Sequence, residues 1–176
     1  MSSQHGLVTL DNGTLLAWGY GGFGQLGEGG TTWATNRIAY PDIDNVSQIS
    51  GGNYFSCALM RDKTIQCWGK NGNGRVGDGT TTNATSPKQV SGLTNMSKVA
   101  AGGNHVCALA DNGTVWCWGR GDGGKLGNEA DTHSSTPVHR LAVLQLRLMS
   151  LLVILSVAPC LVIAPSSAGA ATQMVS

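Results

Sequence analysis

The chain has 176 residues and a formal net charge of +1, with 12% of its residues charged and 26 of them glycine. That balance argues against a polyanion-binding surface and against a charged disordered tail, so no nucleic-acid partner is expected. From the N-terminus, the short β-like runs "GLVTL" and "LLAWG" flank Asp11-Asn12-Gly13. Asn-Gly readily supplies the positive φ of a tight antiparallel connection, so this reads as a hairpin. Gly22 to Gly27 then spells G-x-G-x-x-G, the spacing of a dinucleotide-binding loop. Such a loop needs a helix behind its glycines and an acidic residue about 20 positions on. The residues after Gly27 are "EGGTTWATNR", polar and without 3.6-residue periodicity, so no helix offers its N-terminal amides.

Further along, "VSQIS" opens a second unit in which "CALM" and "IQCWG" flank Arg61-Asp62-Lys63. "MSKVA" opens a third, in which "CALA" and "VWCWG" flank Asp111-Asn112-Gly113. Each unit continues into a glycine ladder, and Trp18-Gly19, Trp68-Gly69 and Trp118-Gly119 stand 50 residues apart. Residues 5–27 and 105–127 share 11 identities in 23, among them His5, Asn12, Trp18, Gly24 and Gly27. A nucleotide loop is needed once, whereas a structural turn is needed in every unit. Trp18, Trp68 and Trp118 are therefore expected to pack, and Gly27, Gly77 and Gly127 to turn the chain; no cofactor is expected. Several strands per period of this length point to propeller blades and not to a helical solenoid. The expected units are 1–45, 46–95 and 96–140, the first and last incomplete, followed by an apolar tail at 141–176. Three blades cannot easily close a ring, so the expectation is an all-β open arc of about three four-stranded blades with exposed blade faces.

The second unit carries the pattern best. Gly51-Gly52 and Cys57-Ala58-Leu59 lead to a turn, then Cys67-Trp68-Gly69-x-Asn71 and a ladder of glycines to Thr80. This resembles the repeat of the regulator of chromosome condensation family, over about residues 5–140. The resemblance implies a β-propeller of typically seven blades. It implies function less firmly, because members include exchange factors for the Ran GTPase, chromatin binders, photoreceptors and secreted protein inhibitors.

Cys57 and Cys67 lie ten apart across one hairpin, Cys107 and Cys117 take the same two places in the next, and the first unit has Leu7 and Ala17 there. Both cysteines are present or both are absent, as a bond between them requires. Each pair is centred on its turn, where directly opposed Cβ atoms come near enough for a bridge. The alternatives are buried reduced thiols or a zinc site, but zinc ligand pairs lie only two to four residues apart. Disulfides are favoured, and with them an extracellular, periplasmic or cell-surface location. No signal peptide is evident, since "MSSQHGLVTLDNG" lacks an apolar core; Met1 falls inside a unit, as though the chain begins partway through a blade.

After "STPVHR" the glycines and Trp vanish. Residues 148–164 are too short and too interrupted for a good membrane anchor, with Arg147 and Pro159 breaking the wider apolar stretch, and the tail shows no clean polar face. The favoured reading is a fourth repeat translated out of frame. Shifting the frame by one base lets Ser167 to Thr172 encode Cys-Trp-Gly-Gly-Asn and Val157 to Cys160 encode Cys-Ala-Leu, again ten codons apart. Cys160 would then be an accident of frame.

No Ser-His-Asp set, carboxylate pair or metal-spaced cluster recurs, so a non-enzyme is expected. His5 and His105 are replaced by Phe55 in the second unit, which favours a packed ring or a single hydrogen bond over general-base work. Binding specificity is expected where units differ, in the loops after each ladder: Trp33, Arg37 and Tyr40 in the first, Arg75 in the second and Lys125 in the third. Trp33 with Arg37 is the composition of a contact hot spot. Asp42 and Asp44 are too few for a calcium site, and Asn12, Asn45, Asn83, Asn95 and Asn112 are sequons that matter only in a glycosylating host. The expected partner is a protein or a glycan on the loop face, besides neighbouring blades of a parent propeller; a membrane enters only if 148–164 anchors. The competing function is a guanine-nucleotide exchange factor or a chromatin binder of the same family.

Overall fold

The structure is a computed structural model that describes residues 5–39, 43 and 45–140. Strands β1 (His5–Thr9), β2 (Leu15–Gly19) and β3 (Ala34–Ala39) form one sheet. A second contains β4 (Val46–Gly52), β5 (Phe55–Met60), β6 (Ile65–Gly69) and β7 (Ala84–Gln89). The third contains β8 (Met96–Ala101), β9 (His105–Ala110), β10 (Val115–Gly119) and β11 (Ser134–Arg140). Each sheet is an antiparallel meander, and the expected four strands are present in the second and third. Among the described residues the first sheet has three, which correspond to β5, β6 and β7 of the next.

The hairpin tips arise from local chemistry. Asn12, Asp62 and Asn112 each accept a hydrogen bond on Oδ1 from the backbone N–H two residues on, at 2.9–3.0 Å. The next residue takes a positive φ of 87° at Gly13, 66° at Lys63 and 84° at Gly113. Lys63 thus holds a conformation the other two units give to glycine, a local strain of about 1 kcal/mol.

Blades stack in sequence order, β1 against β4 and β4 and β5 against β8, giving an open segment of a propeller. The stacking is built on tryptophan. Trp68 Nε1 donates to Gln25 O at 2.9 Å, and Trp118 Nε1 donates to Arg75 O at 2.9 Å, each reaching the glycine turn of the preceding blade. A Cβ at Gly27 would stand 2.8 Å from Trp68 Nε1, and one at Gly77 2.7 Å from Trp118 Nε1. Both tryptophans are fully buried, whereas Trp18 is half-buried. The middle blade, covered on both faces, buries every residue of β5; β9 alternates buried and half-buried positions.

Strand alternation places the cysteines on the opposite face from these tryptophans, toward the following blade. Cys57 lies directly across from Cys67, and Cys107 from Cys117. Each pair is joined with Cα atoms 4.1 Å apart, the closer kind of opposed antiparallel pair. Leu7 and Ala17 occupy the same register in β1 and β2 and pack as buried apolar residues.

His5 crosses from the first blade to the second, its Nε2 3.1 Å from Ser56 Oγ, which in turn donates to Gln25 O at 2.8 Å. It packs and makes a hydrogen bond, as expected of a structural ring. Among the described residues no helix is long and apolar enough to cross a membrane, and no three His, Cys, Asp or Glu residues are grouped to hold a metal. Residues 141–176, with the 148–164 stretch, Cys160 and the out-of-frame reading, lie outside the described residues, as do Tyr40, Asp42 and Asp44.

The stacking has measurable consequences. Gly77→Ala forces a side chain into the left-handed region and into the Trp118 indole, and should cost more than about 2 kcal/mol in chemical denaturation. Gly113→Ala carries a similar φ of 84° but meets nothing within 4 Å, and should cost less than Gly77→Ala. Burial lowers the His5 pKa from 6.5 to about 4. The unfolded chain therefore takes up the proton first, and stability should fall as pH drops from 6.5 to 4, by up to about 3 kcal/mol. A urea titration of the wild type and of His5→Gln checks this: the variant should lose most of that slope.

Candidate functional site

The glycine ladders lie at one end of the blades, opposite the hairpin tips. There the chain turns twice in the first two units, Gly24 N–H donating to Gly21 O and Gly27 N–H to Gly24 O in the first, with the same pair at Gly74 and Gly77, while in the third a short 3-10 turn at Asp122–Gly124 precedes the bond from Gly127 N–H to Gly124 O. Gly24, Gly27, Gly74 and Gly77 all have φ between 75° and 83°, and none of these turns leads into a helix. The G-x-G-x-x-G spacing is thus a pair of linked turns repeated by blade.

Side chains that leave these turns form an aromatic cluster across the first two blades. Tyr20, at the exit of β2, meets Trp33 edge-on at 5.1 Å and Phe23 at 6.1 Å. Tyr54 arrives from the β4–β5 turn of the second blade, 5.2 Å from Phe23 and 5.7 Å from Tyr20. Lys70 Nζ lies over the Phe23 ring at 4.6 Å and the Tyr54 ring at 5.6 Å, and the Lys70 backbone N–H donates to Tyr54 O at 2.8 Å. Trp33 is 69% exposed, while Tyr20, Phe23, Tyr54 and Lys70 are half-buried. A rigid ring cluster under an exposed Trp offers contact area at little cost in side-chain entropy.

The third blade carries charge in place of rings. Arg120 Nε lies 2.5 Å and Lys125 Nζ 3.2 Å from the two oxygens of Asp122. The Arg120 hydrogen bond, ahead of Lys125, lowers the Asp122 carboxyl to about 2. Asp131 caps the adjacent Gly123 and Gly124 amides, and His133 Nδ1 accepts from Gly121 N at 3.3 Å.

The expected binding residues separate on this map. Trp33 belongs to the cluster, and Lys125 is exposed in an ion pair. Arg37 sits in β3, with its side chain outside the described residues, and Tyr40 lies outside them altogether. The expectation for Arg75 is corrected: it is buried, 6% exposed, at the junction of the second and third blades. Its guanidinium donates to Asn73 Oδ1 at 2.7 Å and to Asn53 O at 3.4 Å, while its carbonyl receives Trp118. Burial, then the neighbouring Arg120, lowers its pKa. Sequence reasoning misses Tyr20, Phe23, Tyr54 and Lys70, although Tyr20 and Phe23 depart from Lys70 and Asn73 in the next unit and Tyr54 from Asn104.

The profile of the Regulator of chromosome condensation (RCC1) repeat matches residues 12–59, 65–109 and 112–145. The chain belongs to the RCC1 repeat family. A second profile of the same repeat matches 46–75 and 96–124. Among solved structures, the chain is similar to yeast RCC1 (Prp20), seen bound to Kap60, at 23% identity and a TM-score of 0.70, covering 80% of this chain and 36% of that one. Prp20p of Saccharomyces cerevisiae, described with its binding to Gsp1p and histones, matches at 23% identity and 0.68 over 80% of this chain and 37% of its own. Human WBSCR16 matches at 23% and 0.67, over 79% and 36%. The likeness is one of fold, and the chain spans little more than a third of these relatives. In RCC1-repeat terms, Trp68 and Trp118 with Gly27 and Gly77 form the frame that recurs from unit to unit, and the ring cluster is built on it at one junction.

Arg75→Ala should lower stability by about 1–3 kcal/mol, because Asn53 and Asn73 lose a buried partner. Lys125→Ala, at the equivalent repeat position but exposed, should leave the denaturation midpoint where it is.

Proposed function

We propose that the chain is a non-enzymatic protein-binding segment of an exported or surface-displayed RCC1-repeat propeller. The observation that carries the binding part is the cluster of Tyr20, Phe23, Trp33, Tyr54 and Lys70, which spans a blade junction with Trp33 69% exposed. Contiguous rings with a cation over them are the composition of interface anchors. The protein partners named for the yeast relatives, Kap60, Gsp1p and histones, support a protein as the class of ligand. The two cysteine pairs support an oxidising compartment.

The competing reading, an exchange factor or chromatin binder, rests on family likeness. A chromatin binder wants a basic surface, and a net charge of +1 does not supply one.

Two measurements test this proposal. Of the five cysteines, four are paired in the structure, so mass spectrometry after alkylation without reductant should find one free thiol in protein taken from its native source; five would sink the exported reading. A photo-crosslinking amino acid at Trp33 should capture a protein in source cells, while the same probe at Asp62, on the hairpin end, should not. Equal capture at both sites, or none at Trp33, would contradict docking through the cluster.

A further inference from the structure

The hairpin end of the junction between the second and third blades holds a crevice of about 390 Å³. Its walls include Leu93, Thr94, Asn95, Asp111, Asn112 and Trp116. It lies at the opposite blade end from the aromatic cluster, and nothing in the proposed function uses it.

The repeat places different side chains at the equivalent positions of the second unit. There the repeat puts Met60 where the crevice has Ala110, and Gln66 where it has Trp116. Met60 is 9% exposed, and Arg61, in place of Asp111, donates to Asp11 O at 3.0 Å. Ala110 is the smaller side chain, and Trp116 puts a flat ring in the place of a flexible amide. That wall is fixed: Trp116 packs against the core and meets the His139 ring edge-on at 5.2 Å.

The rim is polar, and part of its bonding is already spoken for. Lys63 Nζ holds Asp111 Oδ2 at 2.6 Å, which leaves the other carboxylate oxygen to accept. Asn112 Oδ1 accepts from Thr114 N at 3.0 Å, which leaves its amide N–H₂ to donate. Thr94 and Asn95, both exposed, add a hydroxyl and a second amide. A carboxylate and amides that donate and accept beside one aromatic face match a ligand with adjacent hydroxyls on one side and polarised C–H groups on the other. The face of an aromatic ring is its negative region and attracts such C–H groups. The volume is within the roughly 300–1,000 Å³ of small-molecule sites.

We propose that this crevice binds a neutral pyranose sugar, stacked on Trp116 and hydrogen-bonded by Asp111, Asn95 and Asn112. Of the side chains the site depends on, Ala110 and Trp116 are carried by the third unit alone, with Leu10 and Leu16 in the first and Met60 and Gln66 in the second.

The test uses the full chain made in a bacterial periplasm, so that the Asn95 and Asn112 sequons carry no sugar of their own. Glucose, galactose, mannose and N-acetylglucosamine are titrated separately while the Trp116 indole N–H is followed by NMR. At least one should shift that resonance saturably. Ala110→Met installs the side chain that the second unit already accommodates and should weaken that binding about tenfold or more; Trp116→Gln, followed through the Asn95 and Asn112 side-chain amides, should do the same. A shift that persists unchanged in Ala110→Met, with the native fold retained by circular dichroism, would overturn the site. So would the absence of any saturable shift with all four sugars. Either failure leaves the ring cluster at the other blade end untouched.

Discussion

Everything in this molecule depends on one contact made at each blade junction: an indole laid on a glycine turn. The indole N–H of Trp68 or Trp118 satisfies a carbonyl of the preceding ladder, and the ring occupies the volume that a side chain at Gly27 or Gly77 would need. The pairing is a constraint on both partners. The turn must be glycine because its φ is positive and because the indole stands where Cβ would go. The indole must be present because without it Arg75 O loses its indole donor and Gln25 O keeps only the Ser56 hydroxyl. Repeated at intervals of one unit, this contact fixes how one blade sits on the next and frees most other positions to vary.

The variable positions are then distributed by geometry. Each sheet offers two ends and two faces, and the faces are consumed by stacking: tryptophans toward the preceding blade, cysteine pairs toward the following one. Specific chemistry is left to the ends. At the ladder end the first junction gathers rings, and the third blade gathers an Arg120–Asp122–Lys125 ion cluster. At the hairpin end, Ala110 and Trp116, in the places of Met60 and Gln66 of the second unit, line a crevice at the junction of the second and third blades. The cysteine pairs add local restraint to hairpins that stacking alone would hold less firmly, by about 2.5–3 kcal/mol each on a loop-closure account.

The repeat, the all-β class and the nearness of the paired cysteines are legible in the residues, because they rest on periodicity and on symmetry about a turn. Side-chain direction at a junction is not. Arg75 looks like a loop residue among variable neighbours, yet its carbonyl is the acceptor for Trp118 and its side chain is buried with its guanidinium on Asn53 O and Asn73 Oδ1. Lys125, at the same repeat position, is exposed. Tyr54 joins Tyr20 and Phe23 only because one blade is placed against another, a relation no local pattern encodes. The trace they leave in the sequence is the departure of Tyr20, Phe23 and Tyr54 from other units, which is visible once repeats are aligned and compared position by position.

Hydrogen exchange at the three repeat indoles, followed by NMR on the intact protein, tests the indole-on-glycine contact most directly. Trp68 and Trp118 donate to buried carbonyls, whereas Trp18 is half-buried. Strong protection of the Trp68 and Trp118 N–H groups, with more rapid exchange at Trp18, is the predicted result. Equal exchange at all three would mean that the blades are not held by indole on glycine, and that stacking geometry would be wrong.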